Sequence, residues 1–174
     1  MDVVRRNIEQ LRGRIDIDST PGIGTLLTLS LPLTLSIIDG LIVMIGGQRF
    51  VVPALAIREI VRPTPDMIAS FHGIGELVRR RDRLVPLLRL HENFGLEPAT
   101  TDPTQAMLVA VEYGGESRCI WVDGLIGKQE VVIKRLGEPL TRAQGISGGA
   151  ILSDGTVALI IDVAAISTAT AVGG

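Results

Sequence analysis

A chain of 174 residues with 46% apolar and 21% charged side chains can bury a core, which excludes a disordered polypeptide and allows one domain or two small ones. Aromatic residues make up only 3%, so the core has to be built from Val, Ile and Leu, a composition that favours strands. A formal net charge of −2, with few rings to stack on bases, speaks against a nucleic-acid binder.

The single cysteine, Cys119, excludes an intrachain disulfide and fits a reducing cytoplasm; inside RCIWV it reads as a small core residue. No apolar run reaches the ~20 residues of a membrane span. The longest candidate, Leu26–Ile45, is broken by Pro32, Asp39 and Gly40. MDVVRRNIEQ lacks the apolar stretch of a signal peptide. The expectation is a cytoplasmic protein with no direct membrane insertion.

Residues 1–12 predict a helix, with Val4, Ile8 and Leu11 on one face and Gly13 ending it. Arg14–Asp18 and Thr25–Leu31 alternate as strands around the turn residues Ser19-Thr20-Pro21-Gly22. Such a helix–strand–strand unit is too small to stand alone, so its apolar face needs a partner. From Leu35 the pattern changes. Leu41–Ile45, Gly46-Gly47 and Phe50–Val52 predict a hairpin, and Ala54–Arg62 a bend into another strand. Gly73–Leu90 predicts a second hairpin turning near Arg81-Asp82, with Pro86 pointing to a sheet edge or bulge. Leu90–Phe94 reads as a short helical turn and Leu96–Thr104 as a linker.

The hairpin pattern then recurs at Met107–Tyr113, Gly114-Gly115 and Arg118–Val122. Strand runs follow at Glu130–Ile133 and Val157–Ile161. Between them, Gly148 and Gly149 are expected where a side chain would collide, and Asp154-Gly155 predicts a hairpin with a type I′ turn. The glycine pairs lie 68 positions apart (46 to 114) and the turn aspartates 72 apart (82 to 154), which argues for duplicated units. Short, evenly spaced strands predict a mainly β chain: two tandem SH3-like five-stranded β-barrels, at about 35–95 and about 105–165.

Few residues suggest chemistry. Gly22-Ile23-Gly24-Thr25 could present N–H groups and a hydroxyl to phosphate, although a hairpin turn explains it as well. His72 and His91 are the only histidines; with one cysteine they outline no metal site and read as surface or structural residues. No acid, base and oxyanion hole come together, so the chain is not expected to be an enzyme by itself. Arg79-Arg80-Arg81-Asp82-Arg83 reads as a solvated hairpin tip whose charge blocks unwanted strand pairing.

Residues 127–134, GKQEVVIK, and 145–163, GISGGAILSDGTVALIIDV, resemble the second half of a CheW-like domain. That is the coupling module of bacterial chemotaxis, present in the adaptor CheW and at the C-terminus of CheA-type histidine kinases. Residues 17–43, IDSTPGIGTLLTLSLPLTLSIIDGLIV, resemble the junction where the kinase's ATP-binding domain ends and the CheW-like domain begins. The resemblance covers nearly the whole chain and implies a C-terminal piece of such a kinase. Residues 1–34 would be the remnant of a GHKL-type α/β ATP-binding domain, and residues 35–174 the CheW-like domain.

On that resemblance Gly22, Gly24 and Thr25 would be one wall of the ATP pocket. The magnesium-binding Asn and the first glycine box of the family lie upstream of residue 1, so ATP and Mg belong to the full-length parent and no cofactor is expected here. Arg80 matches a family arginine that pairs with a glutamate in the preceding strand, here Glu59, while Arg81 stands where the family has glycine. The implied partners are the CheW adaptor, the cytoplasmic tips of chemoreceptors and the other kinase domains, in membrane receptor arrays. Expected contact residues are Glu59, Phe71, Ile74, Leu77, Val78, Arg80 and Leu84. Alternatives are a free-standing CheW-type adaptor with an N-terminal extension and, from another class, a small β-barrel nucleic-acid module.

Overall fold

The computed structural model describes residues 2–10, 13–31, 36–134 and 144–168. The chain divides into two compact units, Met1–Leu35 and Ser36–Gly174. In the first, α1 (Asp2–Gln10) precedes an antiparallel hairpin of β1 (Arg14–Thr20) and β2 (Gly24–Ser30). Ile15 pairs with Leu29 and Ile17 with Leu27, which puts four aliphatic side chains on one face of the ribbon. Ile8 is buried, whereas Val4, Ile17, Leu27 and Leu29 remain about half exposed. The expected contact of Leu11 lies outside the described residues.

The second unit contains β3 (Ile37–Ile45), β4 (Gln48–Pro53), β5 (Ile57–Val61), β6 (Ile68–Phe71), β7 (Gly75–Arg80) and β8 (Arg83–Leu88). After α2 (Leu90–Asn93) come β9 (Met107–Tyr113), β10 (Glu116–Val122), β11 (Gly124–Lys134), β12 (Ile146–Ile151), β13 (Val157–Ile161) and α3 (Val163–Thr168). Strand order corrects the expected division into tandem barrels at 35–95 and 105–165. The closed barrel runs β11-β12-β13-β4-β3, and the other sheet runs β5-β9-β10-β8-β7-β6. Each unit of the duplication gives its hairpin to one sheet and its following strands to the other. The halves are joined by antiparallel pairings of β3 with β11 and of β5 with β9, and by short parallel pairings, Leu159–Phe50 and Ile160–Val51 in the barrel, Leu87–Cys119 and Leu88–Ile120 in the sheet.

The exchange explains why the hairpin strands read as unbroken apolar runs. Strands covered on both faces lose the alternation of a half-buried sheet. Ile42 and Val51 point into the closed barrel with Val131, Ala150, Leu152, Ala158 and Ile160. Leu41, Val43, Ile45, Phe50 and Val52 point the other way, into a core shared with Val109, Val111, Ile120 and Val122 from β9 and β10. The opposite face of β9–β10 supplies Leu108, Ala110, Cys119 and Trp121 to the interior of the six-stranded sheet, with Val78, Val85 and Leu87. Full burial gives each such aliphatic side chain roughly 1.5–3 kcal/mol, and here a strand collects it on both faces.

Gly46-Gly47 and Gly114-Gly115 have positive φ at both positions, as type I′ turns require. Asp154-Gly155 does not: only Gly155 is left-handed. Gly155 N–H donates to Leu152 O at 2.9 Å and Leu152 N–H to Thr156 O at 2.8 Å, which makes a three-residue loop ending in a left-handed glycine. The Asp154 carboxylate closes that loop by accepting from Thr156 N–H at 2.9 Å and Oγ1 at 2.6 Å, and from Arg49 Nη1 at 2.7 Å. These contacts, Thr156 foremost, hold its pKa well below the usual carboxylate range.

Pro86 lies in an interior strand, correcting the expected edge or bulge. Counting from the closing pair Arg80–Arg83, Pro86 falls opposite Leu77 at a non-hydrogen-bonded position, and the pairing of β8 with β10 begins only at Leu87. The expected crowding at Gly148 is absent: a Cβ there would meet Lys134 O at an ordinary 3.5 Å. Close approach falls at Gly46, whose added Cβ would lie 2.5 Å from Leu96 Cβ. The segment after α2 is thereby pressed onto the β3–β4 turn, and Asp123 Oδ2 fastens both by accepting from Gly46 N–H at 2.7 Å and Ala99 N–H at 3.2 Å. Gly46→Ala therefore combines a clash with a left-handed backbone; urea titration should show a loss of about 2–4 kcal/mol.

Candidate functional site

Along β7, alternation turns Glu76, Val78 and Arg80 to the inner face of the six-stranded sheet. Val78 is fully buried at its centre, and an arginine–glutamate pair stands at each end. At one end Arg80 Nε donates to Glu59 Oε2 at 3.1 Å and Nη2 donates to the same oxygen. At the other, Arg89 grips Glu76 with both arms of its fork, at 2.6 and 3.0 Å, and lays its guanidinium 4.3 Å from the centre of the Trp121 ring. Both arginine side chains are only 19% exposed. The fork geometry and the ring contact explain why arginine serves at this second end.

The guanidinium of Arg80 lowers the pKa of Glu59, and that of Arg89 lowers the pKa of Glu76. Cys119, beneath the first pair, is buried, and desolvation pushes its thiol up to about 11. His91 is also buried, and Glu92 lies 3.9 Å from its Nε2.

The expected contact residues do not form one patch. Phe71 and Ile74 are exposed at the β6–β7 turn, whereas Leu84 and Arg80 lie at the β7–β8 tip, the length of a strand away. Leu77 is half-buried between them. Val78 belongs to the core, which corrects its placement on a contact surface: register turns it inward against Val85. The Glu59–Arg80 pair is present, but it covers the inner face of the sheet.

The arginine run is partly neutralised, since Arg79 pairs with Asp66 at 3.3 Å and Arg80 with Glu59. Arg81 carries a φ of +51°, at the first turn position where a type II′ turn favours glycine. In the N-terminal unit, Gly22, Gly24 and Thr25 form a plain hairpin turn: Ile23 N–H bonds Thr20 O at 3.1 Å, and the Thr25 and Ser19 hydroxyls bond each other at 3.2 Å. An added Cβ at Gly22 or Gly24 would meet open space, so these residues by themselves do not fit a phosphate cradle.

Sequence reasoning missed an open apolar groove of about 330 Å³ where the two sheets meet. Its walls are Pro53 at the end of β4 with Leu55 and Ala56 after it, Glu112 and Tyr113 at the end of β9, Ser147 of β12, and Ile161 to Ala164 from the end of β13 into α3. Leu55 is 93% exposed on its 3₁₀ turn, and Tyr113 is exposed on the opposite rim. The wall formed by α3 is capped at its own start and tied to β10. Asp162 Oδ1 accepts from Ala165 N–H at 3.0 Å, and Arg118 Nη2 donates to Ser167 O at 2.7 Å. No alternation in ALAIREIVR marks Leu55, which is in phase with the inward positions Ile57, Glu59 and Val61; the 3₁₀ turn Ala54–Ala56 is what brings it to the surface. Among the described residues no helix is long and apolar enough to cross a membrane.

Two outcomes follow from this geometry. Arg81→Gly should stabilise the chain by about 0.5–1 kcal/mol in urea titration, since a left-handed arginine costs more than the extra chain entropy of glycine. Because the folded pKa of Glu76 is lowered, its pair with Arg89 contributes stability above the ordinary Glu value and loses it as pH falls through the lower, folded value. Urea midpoints measured between about pH 7 and about pH 3 should therefore fall less for Glu76→Gln than for the native chain.

Comparison with known proteins agrees with this architecture. Residues 39–171 match the family described as CheW-like domain. Chemotaxis protein CheA of Rhizobium meliloti (strain 1021) is 42% identical over 171 residues, 98% of this chain but 23% of that protein. The CheA of Salmonella typhimurium is 38% identical over 95% of this chain and 25% of its own length. The sensor histidine kinase CheAY of Helicobacter pylori is 38% identical over 95% of this chain and 20% of its own. The chain thus spans about a quarter of the length of these relatives. The scaffolding protein TtCheW from Thermoanaerobacter tengcongensis has the same fold, with a TM-score of 0.64 at 16% identity over 74% of this chain and 90% of its own. The chain belongs to the CheW-like domain family, and its similarity to CheA proteins extends through nearly its whole length.

Proposed function

We propose that this chain is the regulatory coupling domain of a CheA-type chemotaxis histidine kinase, working by protein–protein contact and carrying no reactive centre of its own. On this reading it binds the CheW adaptor and the cytoplasmic tips of chemoreceptors and holds the kinase in receptor arrays at the membrane. Residues 1–34 would be the end of the parent's ATP-binding domain, and ATP and Mg would be bound by the parent.

The observation that carries the reading is the groove between the sheets. An apolar trough with an almost fully solvated leucine on one rim and a tyrosine on the other suits the apolar face of a partner helix. Its walls come from both exchanged halves, so a partner seated there would touch the two sheets at once.

Sedimentation with receptor-bearing membranes and CheW tests the proposal. Leu55→Asp and Tyr113→Ala, both at exposed positions, should weaken co-sedimentation by about tenfold or more while leaving the urea midpoint unchanged. Undiminished binding by both variants would remove the groove from the mechanism. Salt-sensitive retention on heparin without CheW binding would favour a nucleic-acid module.

A further inference from the structure

The closed barrel and the six-stranded sheet come from the same duplicated plan, yet only one closes. In the barrel, β11 is paired on both sides where its neighbours overlap: Val132 faces Ile37 of β3 and Ile151 of β12. The covering chain continues past this point, with Ile133 N–H donating to Ser36 O at 2.8 Å. In the sheet, the polypeptide that enters β9 forms the 3₁₀ turn Pro103–Gln105, capped by Asp102, in place of an extended strand. β6 is therefore paired with β7 alone.

The polarity of that edge follows from two hydrogen bonds. Ile68 N–H turns away from β7 to bond Pro65 O, and Phe71 O turns inward to accept from Ile74 N–H at 3.1 Å. Strand alternation then aims the N–H and C=O of Ser70 outward, along with the C=O of Ile68. Among the described residues no main-chain partner meets these three groups. The edge reads Ile-Ala-Ser-Phe, and Ala69, Ser70 and Phe71 are all exposed. It carries none of the charges or prolines that ordinarily protect an open edge from pairing.

We propose that β6 is a strand-addition site, taking a short extended segment of a partner polypeptide antiparallel to Ile68–Phe71. Ser70 would make two main-chain hydrogen bonds, and an uncharged side chain of the partner would lie beside Phe71. The occupant is argued from the sister barrel, where an antiparallel extended strand covers β11 in this way. This site is separate from the groove lined by Leu55 and Tyr113, so either can fail without the other.

The test uses the full chain and an acetylated peptide with the sequence of residues 36–42, the segment that covers β11. Amide exchange followed by NMR should show the Ser70 N–H becoming protected as peptide is added, with shift changes confined to β6 and the β6–β7 turn. Ser70→Pro removes an outward-facing donor without touching the ladder to β7, and should weaken binding by about tenfold. On the peptide side, N-methylation of the matching amides should weaken binding to the unaltered chain as much, which covers the case in which the proline variant fails to fold. Failure of the peptide to bind, binding that leaves Ser70 exchange unchanged, or Ser70 protection arising from concentration-dependent pairing of two copies would each overturn the proposal.

Discussion

The structure depends on two hairpins that bury both of their faces. The β3–β4 hairpin fills the closed barrel with Ile42 and Val51, and the shared core with Leu41, Val43, Ile45, Phe50 and Val52. The β9–β10 hairpin does the same in reverse, giving Cys119 and Trp121 to one interior and Ile120 and Val122 to the shared core. Neither sheet has a complete core without strands from the other half of the duplication. The two sheets are in consequence one folding unit with a fixed seam, and the groove runs along that seam.

The asymmetry between the sheets follows from short breaks. Where the barrel has one eleven-residue strand, β11, the other sheet has β5 and β6 separated by Arg62-Pro63-Thr64-Pro65-Asp66-Met67. Proline cannot donate to a ladder, so the strand divides there and the sheet stays open. Its interior is finished by charge instead of by closure: Glu59–Arg80 covers the end near Cys119, and Glu76–Arg89 covers Trp121. Pairs at this depth lose some of their Coulomb gain to desolvation. The same opening exposes the edge of β6 and the aromatic ring of Phe71.

Local chemistry was legible wherever it depended on residues close in the chain. The double-glycine turns and the short α2 helix follow from backbone preferences, the Arg81-Asp82 tip from its place between two strand runs, and the structure has all of them. The duplication was legible too, because Gly46-Gly47 and Asp82 recur at nearly one spacing. Site residues were harder. Phe71, Ile74 and Leu84 are exposed as their proposed role requires, but Val78 is core, since a valine in a strand reads alike whichever way register turns it. Leu55 was overlooked because its exposure comes from a 3₁₀ turn that interrupts the alternation.

The amino-acid order by itself determined where strands begin and turn, which runs are covered on both faces, and that the plan occurs twice. Only the tertiary structure decided which strands pair. Hydrophobic pattern specifies the face of a strand but not its neighbour, and the pairings Leu159–Phe50 and Leu87–Cys119 join residues far apart in the chain. Their choice rests on how the two apolar faces of each hairpin can be covered at once, a condition that no single segment expresses.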